Sequence, residues 1–185
     1  MYEIVTLRDR IRVDPKNAGG DYGSAVENII RKDYIGKIVE DRSLLVGLVD
    51  VESVGEGMII PGDASIYYDT VFKMLAFMPT LHETIKGTIS AISEVGAAVN
   101  IGPIDGLVHI SQTMNDFVDF SKNALVGRKT RASVKPGESV LASVIALSTK
   151  GIMKVGLTMR SPGLGSLSAK KKEPRRATRE RKHGA

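Results

Sequence analysis

The side chain with the clearest capacity for chemistry is His109, which lies in the short segment GLVHIS at residues 106–111. Alternating residue character after a bounding glycine is typical of a β-strand. Because successive side chains of a strand point to opposite faces, we expect His109 on the outer face, away from Val108 and Ile110. An outward imidazole can stack on a base or donate a hydrogen bond to a phosphate. The plain alternative is an ordinary surface histidine.

Two phenylalanines and six cations could extend the same chemistry. Phe117 and Phe120 could stack on bases, although closing the mouth of an apolar core is the favoured use for at least one of them. The cations could line a phosphate path, although each one taken singly is better explained as a solvated surface charge. These cations are Lys86, Lys122, Arg128, Lys129, Arg131 and Arg160.

The residue types that catalysis would require are not arranged for it. The three histidines, His82, His109 and His183, have no ligand spacing, and the chain has no cysteine, which argues against a zinc site. There is no serine-histidine-aspartate arrangement with a supporting motif, and no acidic cluster like those of two-metal nucleases. Asp116 and Asp119 are interpreted as caps of turns. The sequence therefore predicts no catalytic residue, no metal and no cofactor.

A glycine-rich segment at residues 54–63 (VGEGMIIPGD) is the other candidate site. It lacks the third glycine, the following helix and the lysine of a phosphate-binding loop. A docking hairpin is the preferred interpretation, because glycines permit tight turns and three apolar residues follow one another at its edge. A buried strand is the open alternative. The predicted docking residues are Gly55, Gly57, Met58, Ile59, Ile60, Pro61 and Gly62.

Composition favours an ordinary globular protein, with 42% hydrophobic and 25% charged residues. No apolar run approaches the ~20 residues that cross a bilayer. The first residues, MYEIVTLRDR, are charged where a signal peptide needs an apolar stretch. The absence of cysteine fits a reducing compartment. We therefore expect a cytoplasmic protein with no membrane partner.

Charge is concentrated at the C-terminal end. Residues 170–185 hold eight of the 26 lysines and arginines and two of the 21 acids, so this segment carries a net charge of +6 and the other 169 residues carry −1. Such a run cannot bury apolar surface and is expected to be disordered. Two interpretations stay open: a solubilising tail, or an arm that contacts the phosphates of RNA or DNA.

The first 80 residues predict a small α+β domain with one helix on an antiparallel sheet. The helix is expected at residues 21–32, where Tyr22, Val26, Ile29 and Ile30 form one apolar face and Asp21 can cap the start. Strands are expected at residues 2–13, 34–39, 44–51 and 64–78.

Pro79 marks the expected boundary, since proline cannot continue a central strand. Residues 81–165 then predict an all-β barrel of five strands, with a long polar connection at 114–130 that carries a helical turn at 115–120. Residues 166–185 are the predicted basic, disordered tail.

The order of residues carries a family resemblance. The pattern K-G-x-I-x-x-I-x-x-x-G-A from Lys86, followed by GLVHIS, resembles the S1 domain, an RNA-binding version of the five-stranded OB barrel. Segments 55–63, 71–83, 100–112 and 156–165 are similar to the E-prime subunit of archaeal DNA-directed RNA polymerase, the counterpart of the seventh subunit of eukaryotic RNA polymerase II. The similarity covers about residues 1–167, in the same domain order.

The resemblance implies a non-catalytic polymerase subunit. Such a subunit pairs with a second small polypeptide, the F subunit of the polymerase, to form a stalk. Its N-terminal tip domain docks on the polymerase core, and its barrel binds emerging single-stranded RNA and assists DNA opening. In many S1 domains an aromatic ring stands two places after the glycine that matches Gly96, but here that residue is Ala98. The alternative function is a free S1 RNA-binding protein, such as a translation factor or an RNA-exosome cap subunit.

Overall fold

The structure, a computed structural model, describes residues 1–17, 22–40, 43–121 and 123–167. Two compact units are present: Met1–Glu83 with Ala146–Val155, and Thr84–Ile145 with the described residues from Gly156 onward. The domain limits given above stay predictions, and the tail from residue 168 lies outside the described residues. No helix in the described part of the chain has the length and apolar character that crossing a membrane demands.

The first unit contains a four-stranded antiparallel sheet in the order β1-β4-β3-β2. Strand β1 pairs with β4 without a break from Tyr2–Phe77 to Val13–Ile66. Its elements are β1 (Tyr2–Val13), a 3-10 turn (Pro15–Asn17), α1 (Tyr22–Tyr34), β2 (Ile38–Val39), β3 (Ser43–Ile59) and β4 (Ile66–Phe77).

Helix α1 packs one apolar face on this sheet. Val26 and Ile30 are fully buried and meet sheet residues such as Phe72 and Met74 in a single core cluster. The predicted arrangement of one helix on an antiparallel sheet is therefore confirmed. The helix runs two residues further than expected and shortens the next strand to Ile38–Val39. Asp21, the predicted cap, lies outside the described residues.

The glycine-rich segment differs from the expected pair of glycine turns. Strand β3 continues through Gly55 and Gly57 to Ile59, and the chain reverses only afterwards, in the turn at Pro61 and Gly62. A Cβ atom on Gly57 would lie 2.8 Å from Cγ2 of Ile66, and one on Gly55 would lie 2.9 Å from the Asp69 carbonyl oxygen. These glycines permit close pairing with β4 and do not form turns, so that part of the hairpin interpretation is wrong.

The predicted five-stranded barrel is confirmed. Its strands follow the order β12-β7-β6-β5-β11, with β13 added beside β11, and β12 also pairs with β11 to close the cylinder. The β7–β12 pair is parallel, and β5–β6, β6–β7 and β5–β11 are antiparallel. The strands are β5 (Thr84–Ser93), β6 (Gly96–Asn100), β7 (Asp105–His109), β11 (Ser139–Ser148), β12 (Lys154–Thr158) and β13 (Gly165–Ser166).

Alternation along the strands fills the barrel with small and branched side chains. The inward positions are almost completely buried and carry no charge: Ile85, Ile89, Ala97, Val99, Val108, Val140, Ala142, Val144 and Leu157. The intervening residues of β5 and β7 are exposed, which leaves the outer face of the barrel available for contacts.

The connection between β7 and β11 is more ordered than expected. It begins with a 3-10 turn at Ile110–Gln112 and continues as a small antiparallel sheet in the order β10-β9-β8. Its strands are β8 (Val118–Ser121), β9 (Ala124–Gly127) and β10 (Ser133–Val134). The helical turn predicted at residues 115–120 is therefore wrong, because this segment enters an extended strand.

Candidate nucleic-acid interface and docking hairpin

His109 ends strand β7 on its outer face, as the alternation predicts. Its ring is exposed, while Val108 before it is fully buried. The residue opposite it on β6 is Gly96, which has no side chain to cover the ring. Strand alternation therefore presents the imidazole to solvent.

The hydrogen bonds of His109 determine which nitrogen is free. The Nδ1 atom accepts from the backbone N–H of Ser111 and lies 2.8 Å from the Ser111 hydroxyl. Because a backbone N–H can only donate, Nδ1 is an acceptor and the neutral ring carries its proton on Nε2. That N–H points away from the turn and can donate to a phosphate oxygen.

The rest of the β6–β7 outer face is a poor stacking surface. Ala98 stands opposite Leu107, whose aliphatic side chain is exposed. At the far end Asn100 and Ser90 both donate to the carboxylate of Asp105, at 2.9 and 3.0 Å. This face therefore runs from an imidazole, through aliphatic side chains, to a carboxylate that repels phosphate.

A groove of about 440 Å³ lies beside His109, at the start of the small sheet. It brings together three of the predicted RNA-binding residues, Phe117, Lys129 and Arg160. The Phe117 side chain is 71% exposed. The lining residues are Ile110, Ser111, Asn115, Asp116, Phe117, Val118, Lys129 and Arg160.

Asp116 holds the groove together. Its Oδ2 atom accepts from the backbone N–H groups of Lys129 and Thr130, both at 2.8 Å, and from the Thr130 hydroxyl. Its Oδ1 atom accepts from the N–H of Phe117 at 2.7 Å. These donors, Thr130 first among them, lower the pKa of the Asp116 carboxyl. Asp116 is thus a cap that ties β8 to the turn after β9, as its sequence context predicts.

Arginines near the groove are held by other side chains. Arg160 donates through Nε and Nη2 to the Asn115 side-chain oxygen, at 3.3 and 3.2 Å. Arg128 forms a bidentate pair with Asp119, at 2.6 and 2.8 Å, which lowers the pKa of that carboxyl. Arg160 therefore lies in the groove, whereas the charge of Arg128 is already balanced.

The other predicted RNA-binding residues are not part of the groove. Lys86 is exposed on β5 and Arg131 is exposed in the turn after β9. Phe120 is 39% exposed on β8, so neither phenylalanine closes the barrel core. Lys122 lies outside the described residues. Sequence reasoning missed Ser111 as the partner of His109 and Asn115 as the partner of Arg160.

The predicted docking residues form the end of the β3–β4 hairpin. Met58, Ile59 and Ile60 are 41%, 72% and 42% exposed, so the buried-strand alternative is wrong for them. Asp63, just past the turn, accepts from the Tyr67 hydroxyl at 2.7 Å and from the Ser65 N–H at 3.0 Å. The Tyr67 bond is the main reason that the pKa of Asp63 is lowered. The network fixes the hairpin end and keeps its apolar residues exposed.

Within the part of the chain that the structure describes, no group of three or more histidine, cysteine, aspartate or glutamate side chains could hold a metal ion.

Comparison with known proteins identifies both units. Residues 8–64 match the family model "SHS2 domain found in N terminus of Rpb7p/Rpc25p/MJ0397", and residues 79–152 match "S1 RNA binding domain". The DNA-directed RNA polymerase subunit Rpo7 of Sulfolobus acidocaldarius is 34% identical over 90% of this chain and 93% of its own length. This chain belongs to the Rpo7 family.

Other members of the family are similar at lower identity or coverage. Rpo7 of Saccharolobus solfataricus is 31% identical over 90% of this chain and 96% of its own length. The RNA polymerase III subunit rpc8 of Schizosaccharomyces pombe is 31% identical over 58% of this chain and 53% of its own length. Membership in the Rpo7 family confirms the predicted class, a subunit of DNA-directed RNA polymerase with an S1 domain.

Proposed function

We propose that this chain docks on the RNA polymerase core together with the F subunit, binds emerging RNA through its S1 barrel and assists DNA opening. It contributes contacts to transcription and no catalytic group. Its relatives are DNA-directed RNA polymerase subunits, and its second unit matches an RNA-binding domain model. The proposed place of action is the cytoplasm.

The observation that carries the docking role is the apolar end of the β3–β4 hairpin. Three successive apolar residues, Met58, Ile59 and Ile60, are exposed together. A contiguous exposed apolar patch commonly marks a protein contact. The Asp63 network holds the turn in place, so the patch is presented on a pre-organised element and loses little conformational freedom on binding.

The RNA-binding role is supported by the face around His109. An outward imidazole with a free Nε2–H and an adjacent groove with two cations suit a phosphate backbone. Ala98 offers no ring for stacking, and base stacking is worth ~1–3 kcal/mol per base. Binding by the barrel should therefore be weak and directed mainly at the backbone.

The test of docking is co-purification with the polymerase. A tagged chain that carries Ile59→Asp and Ile60→Asp should stay folded, since both side chains are exposed, but should recover about tenfold less of the large polymerase subunits from cells. Val95→Asp is the matched control, an exposed apolar residue of the β5–β6 turn, and should recover them normally.

Unchanged recovery with the double variant would contradict docking through the hairpin. If the unaltered chain itself recovered no polymerase subunits, the polymerase role would fail, and the free RNA-binding alternative would take its place.

A further inference from the structure

Phe117 is the most exposed aromatic side chain of the described barrel unit, at 71%, and its surroundings suit a ligand. The ring lines the groove with Lys129 and Arg160 and is not used to cover the core. A single exposed apolar residue needs no explanation by itself. An exposed ring between cations in one groove is different, because a nucleotide offers both an aromatic face and a negative charge.

The β6–β7 face does not supply such a platform. Ala98 and Leu107 occupy its centre, and Asp105 adds negative charge at one end. A strand of RNA that reaches His109 therefore finds a donor for phosphate there but no ring. The nearest described groove that contains a ring begins at Ser111, the residue that holds the His109 imidazole.

We propose that the groove holds one unpaired nucleotide of RNA, with its base stacked on Phe117 and its phosphate contacted by Lys129 and Arg160. This assignment rests on the proposed RNA-binding role of the barrel. It moves the stacking platform from strand β6 to the edge of the small β8–β10 sheet.

The groove is built before the ligand arrives. Asp116 fixes the backbone of Phe117 and of Lys129 with one carboxylate, so the ring and the cation keep their separation. Asn115 takes Nε and Nη2 of Arg160, and Nη1 makes no hydrogen bond with a described residue. The guanidinium is therefore oriented and keeps a donor for phosphate. Asn115 also keeps its side-chain NH₂, which can donate to a base or to a 2′-hydroxyl.

The test uses the full-length chain and a short single-stranded RNA that contains one 2-aminopurine, whose fluorescence is quenched when it stacks on a ring. Phe117→Ala should weaken binding about five- to a hundredfold, the range for loss of one stacked base, and should remove the quenching. Phe117→Tyr keeps the ring and should restore both. Neither change alters charge, so the dependence of affinity on salt should stay the same.

Two further variants separate the parts of the groove. Lys129→Ala should reduce the slope of log affinity against log salt by about 0.7, the value for one phosphate contact on a single strand. Phe120→Ala, an exposed ring on the same small sheet but outside the groove, should lose less affinity than Phe117→Ala. Circular dichroism confirms that each variant is folded.

Several results would overturn the proposal. If the unaltered chain binds RNA but Phe117→Ala binds equally well, the groove assignment is wrong while the RNA-binding role stands. Equal affinity together with lost recovery of polymerase subunits would assign Phe117 to a protein contact. If the unaltered chain binds no RNA, or prefers DNA of the same sequence, RNA binding itself fails, and the groove assignment falls with it.

Discussion

Gly96 shows at the level of one residue how the barrel presents His109. The two residues face each other across β6 and β7. A Cβ atom on Gly96 would lie 2.0 Å from the carbonyl oxygen of Val108 and 3.0 Å from the Cα of His109, and the glycine has a φ of +153°. The obstructing atoms belong to the backbone and cannot rotate away. Any side chain at this position must push the two strands apart, and His109 moves with them.

Gly96→Ala should therefore destabilise the barrel by about 3 kcal/mol or more, in the upper range for overpacking. The measurement is urea unfolding, and the midpoint should fall while the slope stays constant. Gly47→Ala is the matched control, because a Cβ atom there meets nothing within 4 Å. Equal midpoints for the two variants would show that β6 and β7 can separate without cost.

Sequence reasoning reached some residue-level features and not others. The outward position of His109 follows from alternation alone, because the strand period is local. The bond between Asn115 and Arg160 joins residues 45 positions apart. No local pattern records such a contact, since it depends on how β12 and the connection after β7 meet in the folded barrel.

Among the elements, the glycine-rich strand β3 and the β8–β10 sheet were the hardest to predict. A glycine serves equally in a turn or in close pairing with a neighbouring strand, and sequence does not separate the two uses. Gly57 has the second use, opposite Tyr68 on β4. Strand β8 has four residues and is exposed along three of them, so it lacks the alternation that revealed the longer strands. Asp116, whose bonds organise the sheet, gives no periodic signal.

Asp116 should make the small sheet sensitive to acid. Its pKa is lowered in the folded protein because it accepts several hydrogen bonds, that of the Thr130 N–H foremost. The folded state thus binds a proton less readily than the unfolded state, where an aspartate titrates near about 4. The stabilisation is present above that value and is lost as the pH falls through the lowered pKa.

Asp116→Asn should therefore reduce the melting temperature by several degrees at pH 7 and flatten its decrease as the pH falls below about 4. Glu94→Gln serves as the control, an exposed acid in the β5–β6 turn that makes no hydrogen bond with a described residue. Calorimetry across this pH range provides the comparison. A variant with the same acid profile as the unaltered chain would show that the Asp116 bonds do not stabilise the fold.

Over the whole molecule, positive charge lies apart from the barrel. Residues 170–185 carry a net +6, and the other 169 residues carry −1. The barrel face adds an acid, Asp105, to its own few free cations. Long-range attraction of a polyanion therefore depends on the C-terminal segment, whereas the geometry around His109 and the groove determines where a bound strand rests.

The charge distribution predicts how affinity for RNA depends on salt. Deleting residues 170–185 should weaken binding and flatten the plot of log affinity against log salt strongly, because each phosphate contact on a single strand contributes a slope of about −0.7. His109→Ala should lower affinity modestly at every salt concentration and leave the slope nearly unchanged, because a neutral imidazole releases no counterion. The measurement is RNA affinity over a salt series for the full chain, the deletion and His109→Ala. If the deletion keeps full affinity and full slope, the barrel itself supplies the phosphate contacts, and the C-terminal segment is a solubilising tail.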